Sequence, residues 1–342
     1  IRAALATLRL MLDAGARPVV MSHLGRPGGE AKAEFSLAPV AVRLEELLGQ
    51  RVHFAPDGVG AAAEAAVEKA RTGEVVLLEN LRFHAGETKN DPEFARQLAA
   101  LGDVYVNDAF GTAHRAHAST AGVTVHFDQC AAGLLMGQEL ERLGGLLAHP
   151  RRPFVAILGG AKVSGKIEVV DNLVDKVDTI LVGGGMAFTF FRAMGLEVGS
   201  SLVEEGLLTS VSSTMNRARA SRTEIILPED VVIAEAFAED AAKKEVLVTD
   251  IEEGWMGLDI GPRSVKRYSE IVEAAGTVFW NGPMGVFEME SFARGTRSVA
   301  RSVARATEAG TISVVGGGDS VAAVTQAGLA NRISHISTGG GA

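Results

Sequence analysis

A glycine-bearing stretch at 154–166, FVAILGGAKVSGK, holds the first residues whose types and spacing can do chemistry. The apolar run from Phe154 to Leu158 predicts a buried strand. Gly159 and Gly160 follow, and without a Cβ they let the backbone turn tightly and approach a ligand. The pattern then predicts a helix whose first N–H groups and positive dipole end face the turn, a setting suited to an anion. Lys162 and Lys166 are four apart, so on such a helix both project from one face. Strand, glycines and paired ammonium groups together predict a phosphate site. Gly160 to Lys166 also fits G-x-x-x-x-G-K, the P-loop pattern, except at its last position. That position requires Ser or Thr, whose hydroxyl binds magnesium; here it is Ile167, which cannot ligate a metal. The plainer alternative is a strand-to-helix turn with two solvated lysines.

A second set of candidates is cationic. After predicted strands at 18–21, 74–78 and 103–107 come SHLGRP (22–27), ENLRFH (79–84) and DAFGTAHRAH (108–117). Three strand ends thus deliver Arg26, Arg82 and Arg115, with His23, His114 and His117 among them. Arginine binds carboxylate and phosphate through two parallel hydrogen bonds, so converging arginines predict a small, multiply charged anion. Singly, each arginine is a solvated loop charge and each histidine a structural hydrogen-bonder. The recurrence at one end of successive strands is what favours a site. A zinc site from the three histidines has no helical H-x-x-x-H pair or cysteine set behind it.

The turns of the second half are glycine-rich: Gly183-Gly184-Gly185 after a strand at 179–182, Asn281-Gly282-Pro283 after 277–280, and Gly316-Gly317-Gly318-Asp319-Ser320 after 311–315. Neither triple glycine makes the dinucleotide fingerprint G-x-G-x-x-G, which would need glycine at Phe188 or Val321. The turn at 316–320 opens a helix and offers N–H groups to phosphate oxygens. Asp319 beside it suits a magnesium ion bridging those oxygens, or an N-cap, or both. Glu288 suits ribose hydroxyls, with a surface carboxylate as the alternative.

The elements that must position these groups follow from the alternation of apolar strands, polar or glycine turns and helices such as 37–48, 93–101 and 294–309. Further strands are expected at 224–227, 245–248 and 334–337. Continuous apolar strands are the mark of parallel sheets covered on both faces, so the fold class is α/β, with right-handed crossovers. A helix at 131–147 precedes His149-Pro150-Arg151-Arg152-Pro153 and stands between two doubly wound domains. In such sheets ligands bind beyond the carboxyl ends of the strands. The 342 residues suffice for two domains, and 47% of them are hydrophobic. A net charge of −9 argues against a general nucleic-acid binder and makes a basic cluster a local site for an anionic small molecule. The single cysteine, Cys130, cannot form an internal disulfide, which fits a reducing compartment. No apolar run approaches the roughly 20 residues of a membrane helix, and no signal peptide is visible.

The strings SHLGRP, LLENLRFH, DAFGTAHRAHAS, ILGGAKVSGKI, GGGMAFTF, WMGLDIGP, FWNGPMGVFE, VVGGGDS and ISTGGGA occur in this order. The chain resembles phosphoglycerate kinase along essentially its whole length. The resemblance implies a monomeric, cytoplasmic two-domain glycolytic enzyme that transfers a phosphoryl group reversibly between 1,3-bisphosphoglycerate and MgADP. It implies a glycerate-binding domain over 1–130, an interdomain helix over 131–149 and a nucleotide-binding domain over 150–342. On that pattern His23, Arg26, Arg82 and Arg115 bind the glycerate, with Leu24 and Gly25 shaping the turn. Lys166, Gly257, Glu288 and Gly317, Gly318, Asp319 and Ser320 are nucleotide contacts, Asp319 being the Mg2+ ligand. Gly160, Ala161, Gly184 and Asn281 match further nucleotide-side positions, and Lys162 follows the phosphoryl group in flight. The resemblance also implies that a first strand with an Asp-x-Asn pair, an arginine directly before Ile1 and a segment after the turn at 339–341 belong to the full pattern. Arg2 does not match that arginine. The expectation is therefore a chain that binds nucleotide but turns over poorly. The rivals are a P-loop ATPase and a nucleotide-binding module without catalysis.

Overall fold

The computed structural model describes residues 1–339; the expected turn at 339–341 falls mainly on Gly340 and Gly341, outside the described residues. The chain forms two compact units, the first Ile1–Glu141 and the second starting at Arg142.

In the first unit, β1 (Val19–Val20), β2 (Val52–Ala55) and β3 (Val75–Leu78) form a parallel sheet in the order β1-β3-β2. β4 (Tyr105–Asn107) and β5 (Cys130–Ala132) pair in parallel. All four residues of β3 are buried. Successive side chains of a strand point to opposite faces, and β3 serves two cores accordingly. Val76 and Leu78 pack with Ala63, Val67, Phe94 and Leu98 of helices Gly60–Lys69 and Pro92–Ala99. Val75 and Leu77 pack with Leu8, Leu44 and Ala41 of helices Leu5–Asp13 and Ala38–Leu48. The expected strands at 18–21, 74–78 and 103–107 are therefore present, each somewhat shorter.

The second unit has a six-stranded parallel sheet in the order β14-β13-β12-β6-β7-β8. Its strands are β6 (Phe154–Leu158), β7 (Thr179–Val182), β8 (Glu224–Ile226), β12 (Thr277–Asn281), β13 (Ile312–Gly316) and β14 (His335–Ile336). β6 is buried throughout and shows the same division of faces. Phe154, Ala156 and Leu158 join Val170, Phe190 and Val211. Val155 and Ile157 join Tyr268, Val299 and Val303. Helices thus cover both faces. The chain steps from β6 outward through β7 and β8, then returns to β12 on the other side of β6. The strand order reverses between β6 and β12, which is where a doubly wound sheet opens a crevice.

Three expectations need correction. The strand expected at 245–248 is Lys243–Leu247, β10, and it belongs to an antiparallel sheet with β9 (Asp230–Ala234) and β11 (Met256–Ile260). The helix expected at 131–147 spans Leu134–Ala148. Cys130–Ala132 pair instead with β4, and Gly133 then passes so close to Asp108 that a Cβ would lie 2.2 Å from its Oδ1. Finally, the helix after β6 begins only at Ile167 and ends at Leu173. Lys162 and Lys166 both precede it, so they do not share a helix face. Among the described residues no helix is long and apolar enough to cross a membrane.

Candidate functional sites

In the first unit the cationic residues come together because one buried loop pins another. Asn80 is fully buried, and its Nδ2 donates to Leu24 O at 2.8 Å and Phe35 O at 2.9 Å. Its Oδ1 accepts from Arg82 N at 3.1 Å. The neighbouring Glu79 carboxylate accepts from Ser36 Oγ, Leu37 N and Asn80 N at 2.6–2.7 Å. The 22–27 turn is thereby fixed on the 79–84 turn. Gly25 adopts φ +63 and lies against the Phe35 ring, where a Cβ would approach to 2.5 Å, so a side chain is excluded on both counts. Arg82 Nη1 donates to Gly25 O at 2.8 Å.

The third turn joins through Glu87. This buried carboxylate accepts from Ser119 N at 3.0 Å and Ser119 Oγ at 2.6 Å, and lies 3.6 Å from His117 Nδ1. Arg115 Nε donates to His114 Nε2 at 3.2 Å. The electrostatics record the crowding. Burial, then the charges of Arg82, Arg115 and His117, lowers the His23 pKa to about 4. His114 and His117 are lowered by burial first and by Arg115 among the neighbouring cations; Glu87 partly offsets this at His117. Arg82 is itself lowered by burial and then by Arg115, with Glu87 opposing. All three histidines are thus biased toward the neutral form, and the arginines carry the charge. Arg82 is 8% exposed and its Nε has no hydrogen-bond acceptor. A buried donor of this kind costs free energy until an acceptor reaches it. Leu24 and Arg26 are exposed beside it. Among the described residues no group of three or more His, Cys, Asp or Glu is arranged to hold a metal ion.

In the second unit four turns meet at the reversal of strand order. Gly159 N donates to Asn281 O at 3.1 Å and Gly160 N to Pro283 O at 2.8 Å. Gly184 N donates to Met284 O at 2.9 Å and Met186 N to Gly160 O at 3.0 Å. Gly282 N donates to Ser320 Oγ, which brings in the turn after β13. The approach is too close for side chains. A Cβ on Gly282, whose φ is +105, would stand 2.1 Å from Gly159 O.

Lys166 staples this junction. Its Nζ donates to Gly159 O and, at 3.0 Å, to Asn281 O, the carboxyl ends of β6 and β12. Burial lowers its pKa to about 8, and the charge of Asp319 opposes that shift. Lys166 therefore binds backbone carbonyls, whereas Lys162 is exposed. Near Lys162 lies Glu204, whose Oε2 accepts from Ser164 N at 2.8 Å. Burial pushes the Glu204 pKa up, but the Ser164 and Val163 donors and the Lys162 charge hold it below the usual range. Asp319 is exposed in the first turn of helix Gly318–Gln326, after Gly317 at φ +90. Ala161 and Gly318 are exposed at the rim, as is Glu288. Gly257 N donates to Ser201 Oγ at 2.9 Å, and Gly257 lies flat against Phe188, where a Cβ would come within 1.9 Å of the ring.

Motif reasoning did not single out the residues that hold these groups. Glu79, Asn80 and Glu87 stand inside or beside the quoted strings, but their partners are 32–56 positions away. Glu204 and the buried Asp259 carried no signal of their own.

The sequence model of the phosphoglycerate kinase family matches residues 1–342. A phosphoglycerate kinase of Moorella thermoacetica is 57% identical over the whole chain, which covers 86% of that protein. One from Chloroherpeton thalassium is 55% identical with the same coverage. Among solved structures, the phosphoglycerate kinase from Coxiella burnetii matches with a TM-score of 0.82 at 40% identity. That from Pyrococcus horikoshii matches with a TM-score of 0.85 at 33% identity. Each match covers 99% of this chain and 85% of the other.

Proposed function

Because the chain belongs to the phosphoglycerate kinase family, we propose that its arginine cluster takes the three-carbon acid and its glycine junction the adenine nucleotide. The reaction is the glycolytic one, reversible phosphoryl transfer between 1,3-bisphosphoglycerate and ADP giving 3-phosphoglycerate and ATP. One observation carries the assignment: the buried Arg82 Nε without an acceptor, at the centre of a cluster whose cations outnumber their carboxylate partners. A phosphorylated carboxylic acid supplies the missing acceptors. His23, Arg26, Arg82 and Arg115 bind it, and Leu24 and Gly25 set the turn.

On the nucleotide side Gly160, Ala161, Gly184, Gly317, Gly318 and Ser320 present backbone close to phosphates. Gly257 gives the base a flat seat, and Glu288 meets the ribose. Lys166 and Asn281 hold the turns in register. Support comes from the location, since the four turns converge at the reversal of strand order.

Asp319 is one exposed carboxylate in a first helical turn, which fits Mg2+, an ion usually held by one or two carboxylates together with phosphate oxygens and water. Bound there, Mg2+ neutralises charge on the phosphates. The acceptor oxygen is already anionic, a phosphate of ADP or a carboxylate, so no general base is required. That fits an arginine cluster whose buried carboxylates, Glu79 and Glu87, are already engaged in hydrogen bonds. The chain's contribution is positioning and charge stabilisation of an in-line transfer, with the exposed Lys162 ammonium free to follow the moving phosphoryl group.

The two sites lie in different units, so the units close during turnover, with the helix Leu134–Ala148 as connector. The division proposed for these roles is 1–130, 131–149 and 150–342, with the boundary between the compact units falling inside the connecting helix. The protein works as a cytoplasmic monomer, without nucleic-acid or membrane partners. Calorimetry tests the reading: 3-phosphoglycerate should bind the wild type and bind Arg82→Met far more weakly, while ADP binds both alike. Equal 3-phosphoglycerate affinity would overturn it. For closure, both ligands together should reduce the radius of gyration; an unchanged radius refutes it.

A further inference from the structure

Asp259 is a carboxylate that phosphoryl transfer does not call upon, yet it is only 4% exposed. Each of its oxygens serves one backbone amide. Oδ1 accepts from Ile260 N at 2.9 Å, and Oδ2 accepts from Gly295 N at 2.7 Å, in the first turn of helix Arg294–Glu308. The 282–288 turn is packed onto the same group: a Cβ on Gly285 would stand 2.2 Å from Oδ1. The adjacent Thr296 Oγ1 accepts from Met284 N at 3.0 Å and Gly285 N at 3.2 Å. Val286 N donates to Leu258 O at 2.8 Å, tying the turn to β11 itself. Burial raises the Asp259 pKa to about 7, though the two amide donors and the Arg294 charge oppose it. Keeping such a group is costly unless its hydrogen bonds are needed. A carboxylate offers an acceptor oxygen to each of the two donors, whereas an asparagine would turn its NH2 group toward one of them.

We infer that Asp259 is a positioning residue for the nucleoside diphosphate: it anchors the first turn of helix Arg294–Glu308 to β11, the strand that carries Gly257, and that helix in turn holds the turn bearing Glu288 through Thr296. The inference rests on the nucleotide-side reading above. It makes the ribose and base contacts one rigid unit, so that loosening the lock weakens nucleotide binding and leaves the three-carbon substrate alone.

The test compares Asp259→Asn, Gly285→Ala and Glu288→Ala with wild type, at a temperature where circular dichroism shows each folded. Asp259→Asn leaves one buried amide facing an NH2 group and should raise KM for ADP on the order of tenfold. KM for 1,3-bisphosphoglycerate and kcat should stay within about twofold, since the lock and the arginine cluster belong to different units. Gly285→Ala approaches the same contact from the turn, should give the same split, and decides the matter if Asp259→Asn does not fold. A lowered melting temperature with unchanged KM for ADP in the folded variant would mean a purely structural carboxylate and overturn the inference. Glu288→Ala separates the two claims. If it leaves ADP binding untouched, the nucleotide-side reading fails and the inference with it. If it weakens ADP while the other two variants do not, only the inference fails.

Discussion

The arginine cluster of the first unit and the glycine junction of the second are built from opposite materials. In the first, the groups proposed to face the ligand are side chains, and buried polar side chains hold them. Glu79 and Asn80 fix one turn on another, and Glu87 ties in a third. In the second, the groups proposed to face the ligand are mostly backbone, and the absence of side chains lets four turns interlock. Charge follows the same division. The first site concentrates cations until burial and mutual repulsion depress His23 and Arg82. The second has one half-buried ammonium, Lys166, already bound to carbonyls, and one exposed ammonium, Lys162. A site of side chains can be tuned residue by residue. A site of backbone is all or nothing, because its geometry belongs to the junction.

Substitutions should expose that contrast. The largest effect is expected at Lys162, the one lysine of its stretch left free. Lys162→Ala should lower kcat about 10²–10³-fold, or ~3–4 kcal/mol, with ADP affinity retained, in a coupled steady-state assay. A loss confined to KM would assign it to ground-state binding instead. Next, Arg82→Met removes a charged donor from the cluster and should weaken 3-phosphoglycerate binding by about 1.5–3 kcal/mol, leaving ADP unaffected. Gly282→Ala should act differently. With φ +105 and no room for Cβ, it should destabilise the second unit by on the order of 1–3 kcal/mol and impair all nucleotide contacts together. Urea unfolding and ADP calorimetry read both effects, and intact stability would show the junction to be more pliant than described.

The smallest effect concerns pH. The folded-state pKa of His23 is about 4, below its ordinary 6.5. As pH falls from 6.5 toward 4, the unfolded chain takes up a proton that the folded protein refuses, so stability declines across that window. His23→Gln should flatten this part of the profile, and 3-phosphoglycerate, by neutralising the arginines, should raise the His23 pKa seen by NMR. A His23 titration near 6.5 in the free protein would contradict the crowding.

Much of this was legible in the residues. Apolar runs such as 75–78, 154–158 and 179–182 are strands where expected, because burial on both faces requires such runs. The strands at 52–55, 230–234 and 256–260 were not anticipated. β10 has an alternating exposure in keeping with an antiparallel edge, and β11 contains a register shift between Gly257 and Asp259 that disguises its period. The lysine stretch misled in a specific way. Four-residue spacing suggested one helical face, but Lys166 N and Ile167 N both donate to Val163 O, so a tight turn precedes the helix. Lys166 then bends back to carbonyls of two strands, one of them 115 residues distant. No local pattern encodes that. The motifs named the candidate ligand-facing residues, whereas the supporting layer depends on which distant turns fold together.

The edge strand β10 carries a consequence for handling the protein. Among the described residues it pairs only with β9, so one row of its amides and carbonyls is available to any stray strand. Lys243 and Lys244 cover it, lying over the Phe292 and Trp255 rings, and Glu245 faces Arg294. An incoming chain would have to strip these charges of water and displace them from the rings. Replacing them with apolar residues should turn a well-behaved solution into one that precipitates on concentration.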